Sequence, residues 1–329
     1  MINKMNVKYF NIIIVIALVT ILSACNRDEI FEREQYKHVI SLLSESEGAF
    51  NIFTEEHDPA NSDEEGYTDG YVAASVGGSL VTDQPIVLSL VEDASILGEY
   101  NNSNFALESF KYARYLSSGR YSIKHPVISI PAGERRGKMK IRIRAAGLSP
   151  DSIYFIPLRV DQSSTYEMNT AKSTVLYRVC LKNFWASTAS YQTTQYNHKG
   201  IRYEEDSDAP ATTMMMKDVH PLSGNEVRIF AGNKSFEQSL EAIEAWAIRL
   251  AVDNDGKVTI SPYAGSRFAM KVTQIDGDEE YPNVFKIVDN GWGNLFKTFL
   301  LYYEYVDPTD NITYRIKEEL RITHSKTVI

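Results

Sequence analysis

Alternation with a period of two runs through most of the chain beyond its leading segment. In Met139-Lys140-Ile141-Arg142-Ile143-Arg144 every second side chain is apolar and the others are basic. That pattern puts one face in a core and the other in water, as in a half-buried β-strand. The same reading gives strands over 39–43, 71–76, 86–91, 121–123, 127–130, 138–144, 154–160 and 174–181. Turn sequences such as Pro131-Ala132-Gly133 and Ser149-Pro150-Asp151 punctuate them. The segment 104–116, with Phe105, Leu107, Phe110, Tyr112 and Leu116, reads as a short helix crossing between sheets. Short strands at this spacing predict a β-sandwich over 38–182.

A second run of strands follows over 190–196, 212–217, 226–230, 245–252, 257–262, 267–274, 284–288, 297–306 and 312–322. Asp253-Asn254-Asp255-Gly256 and Asp307-Pro308-Thr309-Asp310-Asn311 are hairpin turns between them. A helix is expected to start near Ser235, a possible N-cap with Gln238 three residues on. Consecutive hairpin-linked strands must close into a barrel or fold onto themselves, because open edges invite aggregation. The expectation for 183–329 is a small calycin-like antiparallel β-barrel, with a second sandwich as the alternative. The fold class is all-β throughout.

The amino end changes the picture most. Lys4 and Lys8 precede an apolar run from Tyr9 to Ala24, which ends in Leu22-Ser23-Ala24-Cys25. The run is short and asymmetric for a membrane span and fits a signal peptide. Its end resembles a bacterial lipobox, so 1–24 is expected to be a lipoprotein signal peptide. Cys25 is then the lipidated residue and 25–37 a tether. Removing Lys4 and Lys8 takes the formal charge from −9 to −11. Each buried acyl CH₂ contributes roughly 0.8 kcal/mol, so two or three chains anchor the protein stably in outer-membrane lipid. Asn26-Arg27-Asp28-Glu29 resembles a surface-export signal of Bacteroidetes lipoproteins, which implies a lipid anchor in the outer membrane facing the cell exterior.

The 34 basic and 43 acidic residues argue against nucleic acid as the main partner. Cys180 is the only other cysteine. It lies in an alternating run and reads as a small buried hydrophobe, not a nucleophile. The six histidines are scattered and no metal-ligand spacing stands out. Glu55-Glu56-His57-Asp58 is dense in ligand-type residues and reads as an exposed loop. Asp253-x-Asp255-Gly256 lacks the later ligands of a calcium loop. No cofactor, metal or catalytic residue is expected, and the carboxylates cluster in hydrophilic loops such as 63–65 and 276–280. Asp151-Ser152-Ile153 resembles an O-glycosylation acceptor of this bacterial group.

Tyr121-Ser122-Ile123, Val127-Ile128-Ser129-Ile130-Pro131-Ala132-Gly133, Leu148-Ser149-Pro150 and Tyr154-Phe155-Ile156-Pro157-Leu158-Arg159-Val160 occur in a recognisable order. The order resembles the Ig-like domain of unknown function at the N-terminus of many Bacteroidetes surface lipoproteins. Phe155-Ile156 stands where Val-Leu is common. The second half is similar to a companion β domain, through the Trp246-containing hairpin ending Gly256-Lys257-Val258-Thr259-Ile260 and the run Phe299-Leu300-Leu301-Tyr302-Tyr303-Glu304-Tyr305. The resemblance implies a protein of the kind found in glycan-utilisation systems: non-catalytic, binding polysaccharide or oligosaccharide, and working beside an outer-membrane importer.

A pyranose packs its C–H face on an exposed ring and offers hydroxyls to surrounding amides and charges. Trp292, between Gly291 and Gly293 and flanked by Asn290 and Asn294, fits that need best. Its other possible role is to fold back and plug a barrel end. Tyr191 and Tyr196, around a polar run, and Trp185, at the expected junction, are further candidates. Trp246, in an alternating run, reads as core. The alternative function is a structural adhesin or protein-binding assembly component of the cell envelope.

Overall fold

A computed structural model of the chain describes residues 36–45, 49–163, 166–189, 194–205, 207, 209–237, 239–263 and 269–324. The first module comprises β1 (Val39–Leu42), β2 (Ile52–His57), β3 (Thr68–Val76), β4 (Ile86–Glu92), helix α1 (Ala94–Phe105), β5 (Arg114–Tyr115), β6 (Tyr121–Ser122), β7 (Val127–Ile130), β8 (Arg136–Ile143), β9 (Tyr154–Ser163), β10 (Glu167–Met168) and β11 (Thr174–Leu181). One sheet runs β10-β1-β3-β8-β6 and the other β2-β11-β9-β4-β7, with β5 also on β9. The alternation that predicts β8 is realised: Met139, Ile141 and Ile143 enter the core, where they meet Ile40, Val72, Leu88, Ile128, Ile156 and Tyr177 from both sheets. Two facing sheets over one apolar layer is a β-sandwich.

Two expectations need correction here. The helix lies over 94–105 rather than 104–116, because Asp93 caps it: its carboxylate accepts from the Ser95 amide at 3.1 Å. Leu107 and Phe110 are accordingly exposed beyond its end. The supposed loop Glu55-Glu56-His57 is the end of β2, which pairs in parallel with β11.

The second module comprises β12 (Gln195–Glu204), β13 (Ala211–Asp218), β14 (His220–Pro221), β15 (Glu226–Phe230), helix α2 (Leu240–Trp246), β16 (Ala247–Val252), β17 (Val258–Pro262), β18 (Val272–Gln274), β19 (Val284–Asp289), β20 (Leu295–Val306) and β21 (Thr313–His324). One sheet runs β13-β12-β21-β20-β18, with β19 also on β20, and the other runs β14-β15-β16-β17. The expectation of a barrel or second sandwich is met by two curled sheets packed over one core, with a backbone bridge between Lys257 and Val284 joining them at one edge. The chain passes from β13 to β14 across Val219 without a ladder joining those strands. At the other edge the link from β17 to β18 is made by a side chain, Gln274 Oε1 accepting from Ile260 N at 2.7 Å. The core takes Val227, Ile229, Ile248 and Leu250 from one sheet and Tyr196, Phe299, Leu301, Tyr303, Tyr305 and Ile316 from the other. The helix begins at Leu240, not near Ser235, because Ser239 is the N-cap and accepts from Ala242 N. Trp246 ends that helix, partly buried against the core.

The modules are joined tightly. Asn183 Oδ1 accepts from Trp185 N and Ala186 N, and its amide donates to Ser223 O and Glu226 O at 2.9 Å. Gly224 lies so close to Ala60 that a Cβ there would sit 2.9 Å from the Ala60 nitrogen. Across the joint, Arg228 binds Asp151 with both terminal nitrogens. Among the described residues no helix is long and apolar enough to cross a membrane.

Candidate ligand-binding site

The β19–β20 hairpin closes on Asp289-Asn290-Gly291-Trp292-Gly293-Asn294. Asp289 Oδ1 accepts from Gly291 N at 2.8 Å and Gly293 N at 3.3 Å. Asn290 Oδ1 accepts from Trp292 N at 2.9 Å and Asn294 N at 3.3 Å. Gly291 and Gly293 have φ of 82° and 81°, conformations that glycine adopts without steric cost. The two oxygens are spent on shaping the turn. What remains for a ligand is the Trp292 ring with the amide groups of Asn290 and Asn294, all exposed.

Trp292 is 87% exposed, so it plugs nothing. A tryptophan ring, broad and apolar with one N–H to keep wet, suits an interface, and here it is open to an apolar partner face. The other aromatic candidates differ. Tyr196 is wholly buried, and its hydroxyl donates to Trp185 O at 2.8 Å. Burial pushes that phenol up. Trp185 is buried at the junction, with edge contacts to Phe184 and Phe285. Neither ring can meet a sugar in this arrangement, which corrects both expectations: Tyr196 is in phase with the inward side chains of β12, and Trp185 is folded in by the Asn183 turn. Tyr191 and the lipidation candidate Cys25 lie outside the described residues.

Reactive-looking groups elsewhere have structural partners. Cys180 is buried and its thiol is pushed up by that burial. Glu56 binds Lys182 at 2.8 Å, and Asp58 caps a short turn through Ala60 N. Asp63 and Glu65 bind Arg142, and Asp278 binds Lys317. Asp253 Oδ1 accepts from Asp255 N and Lys257 N, which makes a hairpin turn of the calcium-like sequence. Among the described residues no group of three or more His, Cys, Asp or Glu is placed to hold a metal ion.

His57 belongs to a buried chain of hydrogen bonds. Its Nδ1 meets Thr68 Oγ1 at 2.8 Å and its Nε2 meets the Tyr177 hydroxyl at 3.1 Å; that hydroxyl also donates to Glu55 at 2.6 Å. Gly70 makes room for it, since a Cβ there would lie 2.0 Å from the Tyr177 oxygen. Burial lowers the His57 pKa from the model-peptide 6.5 to about 4. The folded state then resists a proton that the unfolded chain accepts. Stability present above pH 6.5 is lost as pH falls towards about 4, amounting to about 3 kcal/mol. Urea titrations from pH 7 to pH 4 should display this slope, and His57→Gln should flatten it; an equal slope in the variant would refute the assignment.

Comparisons with known proteins agree with this architecture. A family model described as the N-terminal domain of a two-part family matches residues 36–167, and its C-terminal counterpart matches 173–321. A comparison with curated proteins gives no match. Among solved structures, the chain resembles a protein of unknown function from Bacteroides ovatus with a TM-score of 0.61 at 15% identity, covering 87% of this chain and 94% of that one. A multidomain protein including DUF1735, also from Bacteroides ovatus, gives 0.58 at 14% identity, with 88% and 95% covered. An auxiliary nutrient binding protein from Bacteroides thetaiotaomicron gives 0.52 at 14% identity, with 85% and 93% covered. With adjoining N-terminal and C-terminal models matched in order over both sandwiches, the chain carries both domains of this two-part family.

Proposed function

We propose that this chain is a non-catalytic lipoprotein, held to the outer membrane through Cys25, that binds polysaccharide or oligosaccharide for an outer-membrane importer. The observation that carries the reading is Trp292, a ring 87% exposed on a hairpin tip whose own hydrogen bonds fix its shape. A preformed tip lowers the ordering cost of binding. The Asn290 and Asn294 amides beside it suit sugar hydroxyls. The likeness in fold to an auxiliary nutrient binding protein supports the same class of role. An acyl tether would keep the site near its membrane partner and raise the local ligand concentration.

The test is affinity electrophoresis of the mature chain in polysaccharide gels. Trp292→Ala should lose about 2 kcal/mol of binding, roughly thirtyfold in Kd, with unchanged urea stability. Unaltered retardation of the variant would defeat the reading, as would release of reducing sugar by the wild type. Palmitate incorporation that Cys25→Ser abolishes is the expected result for the anchor.

A further inference from the structure

The outward face of β8 carries Arg136, Lys138, Lys140 and Arg142 at every second position. Beside it lies a groove of about 290 Å³ lined by Ser122, Lys124, His125, Val127, Lys138, Met139, Lys140 and Arg142. That volume is near the lower end of small-molecule sites, about 300 Å³. Four of the lining residues are lysine or arginine and none is acidic. The chain as a whole carries a formal charge of −9, so this concentration of positive charge does not follow from composition.

The groove exists because β8 is only partly paired on this side. It pairs with β3 along Arg136–Ser75 to Ile143–Thr68, but with β6 only at Ile143 and Arg142. The segment from Ser122 to Val127 then departs towards β7, which approaches β8 again at Gly137, where a Cβ would lie 2.2 Å from Ser129 O. Between those two contacts the strand edge is open.

The four cations are not equivalent. Arg142 binds Asp63 and Glu65, and Lys140 binds Asp69 at 2.5 Å. Lys138 lies over the Tyr71 ring at 4.1 Å, and neither it nor Lys124 has an ion pair among the described residues. Two unpaired ammonium groups, the Ser122 hydroxyl and apolar contacts from Val127 and Met139 form one concave surface. Ammonium groups complement carboxylate or sulfate, and the apolar contacts complement the C–H face of a ring.

We propose that this groove is a subsite for an acidic sugar, a uronate or sulfated residue of the glycan, with Lys124 and Lys138 as its charge partners. The proposal rests on the glycan reading above and adds a substrate class to it. A recessed groove of this size takes a single ring with its charged substituent better than it takes a flat bilayer surface.

The test uses the mature full-length chain in gels containing polygalacturonate, chondroitin sulfate or neutral mannan, with soluble polyglutamate as competitor. The wild type should be retarded more by the two acidic polymers than by mannan, and raising salt should weaken that difference. The double variant Lys124→Gln/Lys138→Gln should lose about tenfold or more in affinity for the acidic polymers and keep its affinity for any neutral one. Both side chains are exposed, and an unchanged urea midpoint would confirm an intact fold. Equal retardation of the double variant and wild type in the acidic gels would overturn the subsite while leaving Trp292 to be judged on its own. Loss of acidic retardation in the double variant, with none in Trp292→Ala, would uphold the groove and remove the hairpin. Displacement by polyglutamate below the concentration at which polygalacturonate competes would overturn the sugar assignment in favour of an acidic peptide.

Discussion

Truncating Glu318 to alanine is expected to lower the unfolding free energy by about 3 to 5 kcal/mol. Glu318 on β21 and Lys217 on β13 are completely buried, with 2.6 Å between Lys217 Nζ and Glu318 Oε2. His198 Nε2 stands 2.9 Å from the same oxygen. The Tyr303 hydroxyl donates to Glu318 Oε1 at 2.8 Å and accepts from Gly232 N at 2.9 Å. Burial by itself raises the Glu318 pKa, but Lys217 and His198 outweigh it and hold the carboxyl at about 2. Folded below its unfolded value, this group adds stability above about pH 4.5 that is lost as pH falls towards 2. Removing the acid strands a lysine, whose charge burial already disfavours, in an apolar core. Replacing both charges at once, in Lys217→Met/Glu318→Leu, should recover most of the loss, because paired burial is nearly balanced by its own desolvation. Urea titration of the two variants decides it: a double variant no better than the single one would mean that the network stabilises by more than cancelling charge.

That cluster also marks the limit of what the chain's pattern discloses. Strict alternation made β8 and the long β20–β21 pair legible, and turn residues bounded β7 and β11 with the observed limits. The β2 strand was hidden because its Glu55, Glu56 and His57 look solvated, whereas only Glu56 is exposed and Tyr177 on β11 makes the burial of His57 and the half-burial of Glu55 tolerable. Barrel or sandwich turns on whether edge strands complete a ladder. Here one edge is bridged by the Gln274 side chain and by a single backbone bridge, Lys257 with Val284, which periodicity does not encode. The exposed placement of Trp292 was legible because the glycines on either side of it favour a turn, and both have positive φ. Tyr196 was misread because its neighbours 192–195 are polar, although it shares its strand face with His198 and Gly200. Gly200 is opposite Glu318 in register, and a Cβ on it would lie 2.9 Å from the His198 ring, so this small residue is part of what lets the buried charges meet. The basic groove escaped notice because it depends on where β6 stops pairing with β8.

Asp151→Ala is expected to loosen the joint between the sandwiches at a cost of about 3 kcal/mol. Asp151 lies in the turn between β8 and β9, and its oxygens accept from Arg228 Nη1 at 2.5 Å and Nη2 at 2.7 Å. The Arg228 side chain is 1% exposed, with its guanidinium over the rings of Phe230 and Tyr263. A fork-on-carboxylate pair of this kind gives direction as well as energy. Asp151 is the more exposed partner, so removing the arginine leaves an acid that water can reach, and Arg228→Met should cost less than Asp151→Ala. Urea titration measures the difference, and small-angle scattering should give a larger radius of gyration for Asp151→Ala than for wild type. Equal stability and equal radius in both variants would show that Asn183 and the Gly224–Ala60 contact fix the joint without the ion pair. On the proposed glycan reading the consequence reaches function, because Trp292 belongs to one module and the lysine groove to the other. Two weak sites on a rigid frame reinforce each other only when one chain spans both in a fixed geometry. Loosening the joint should therefore reduce retardation by long acidic polymers while leaving the affinity for short oligomers, which reach one site at a time, unchanged.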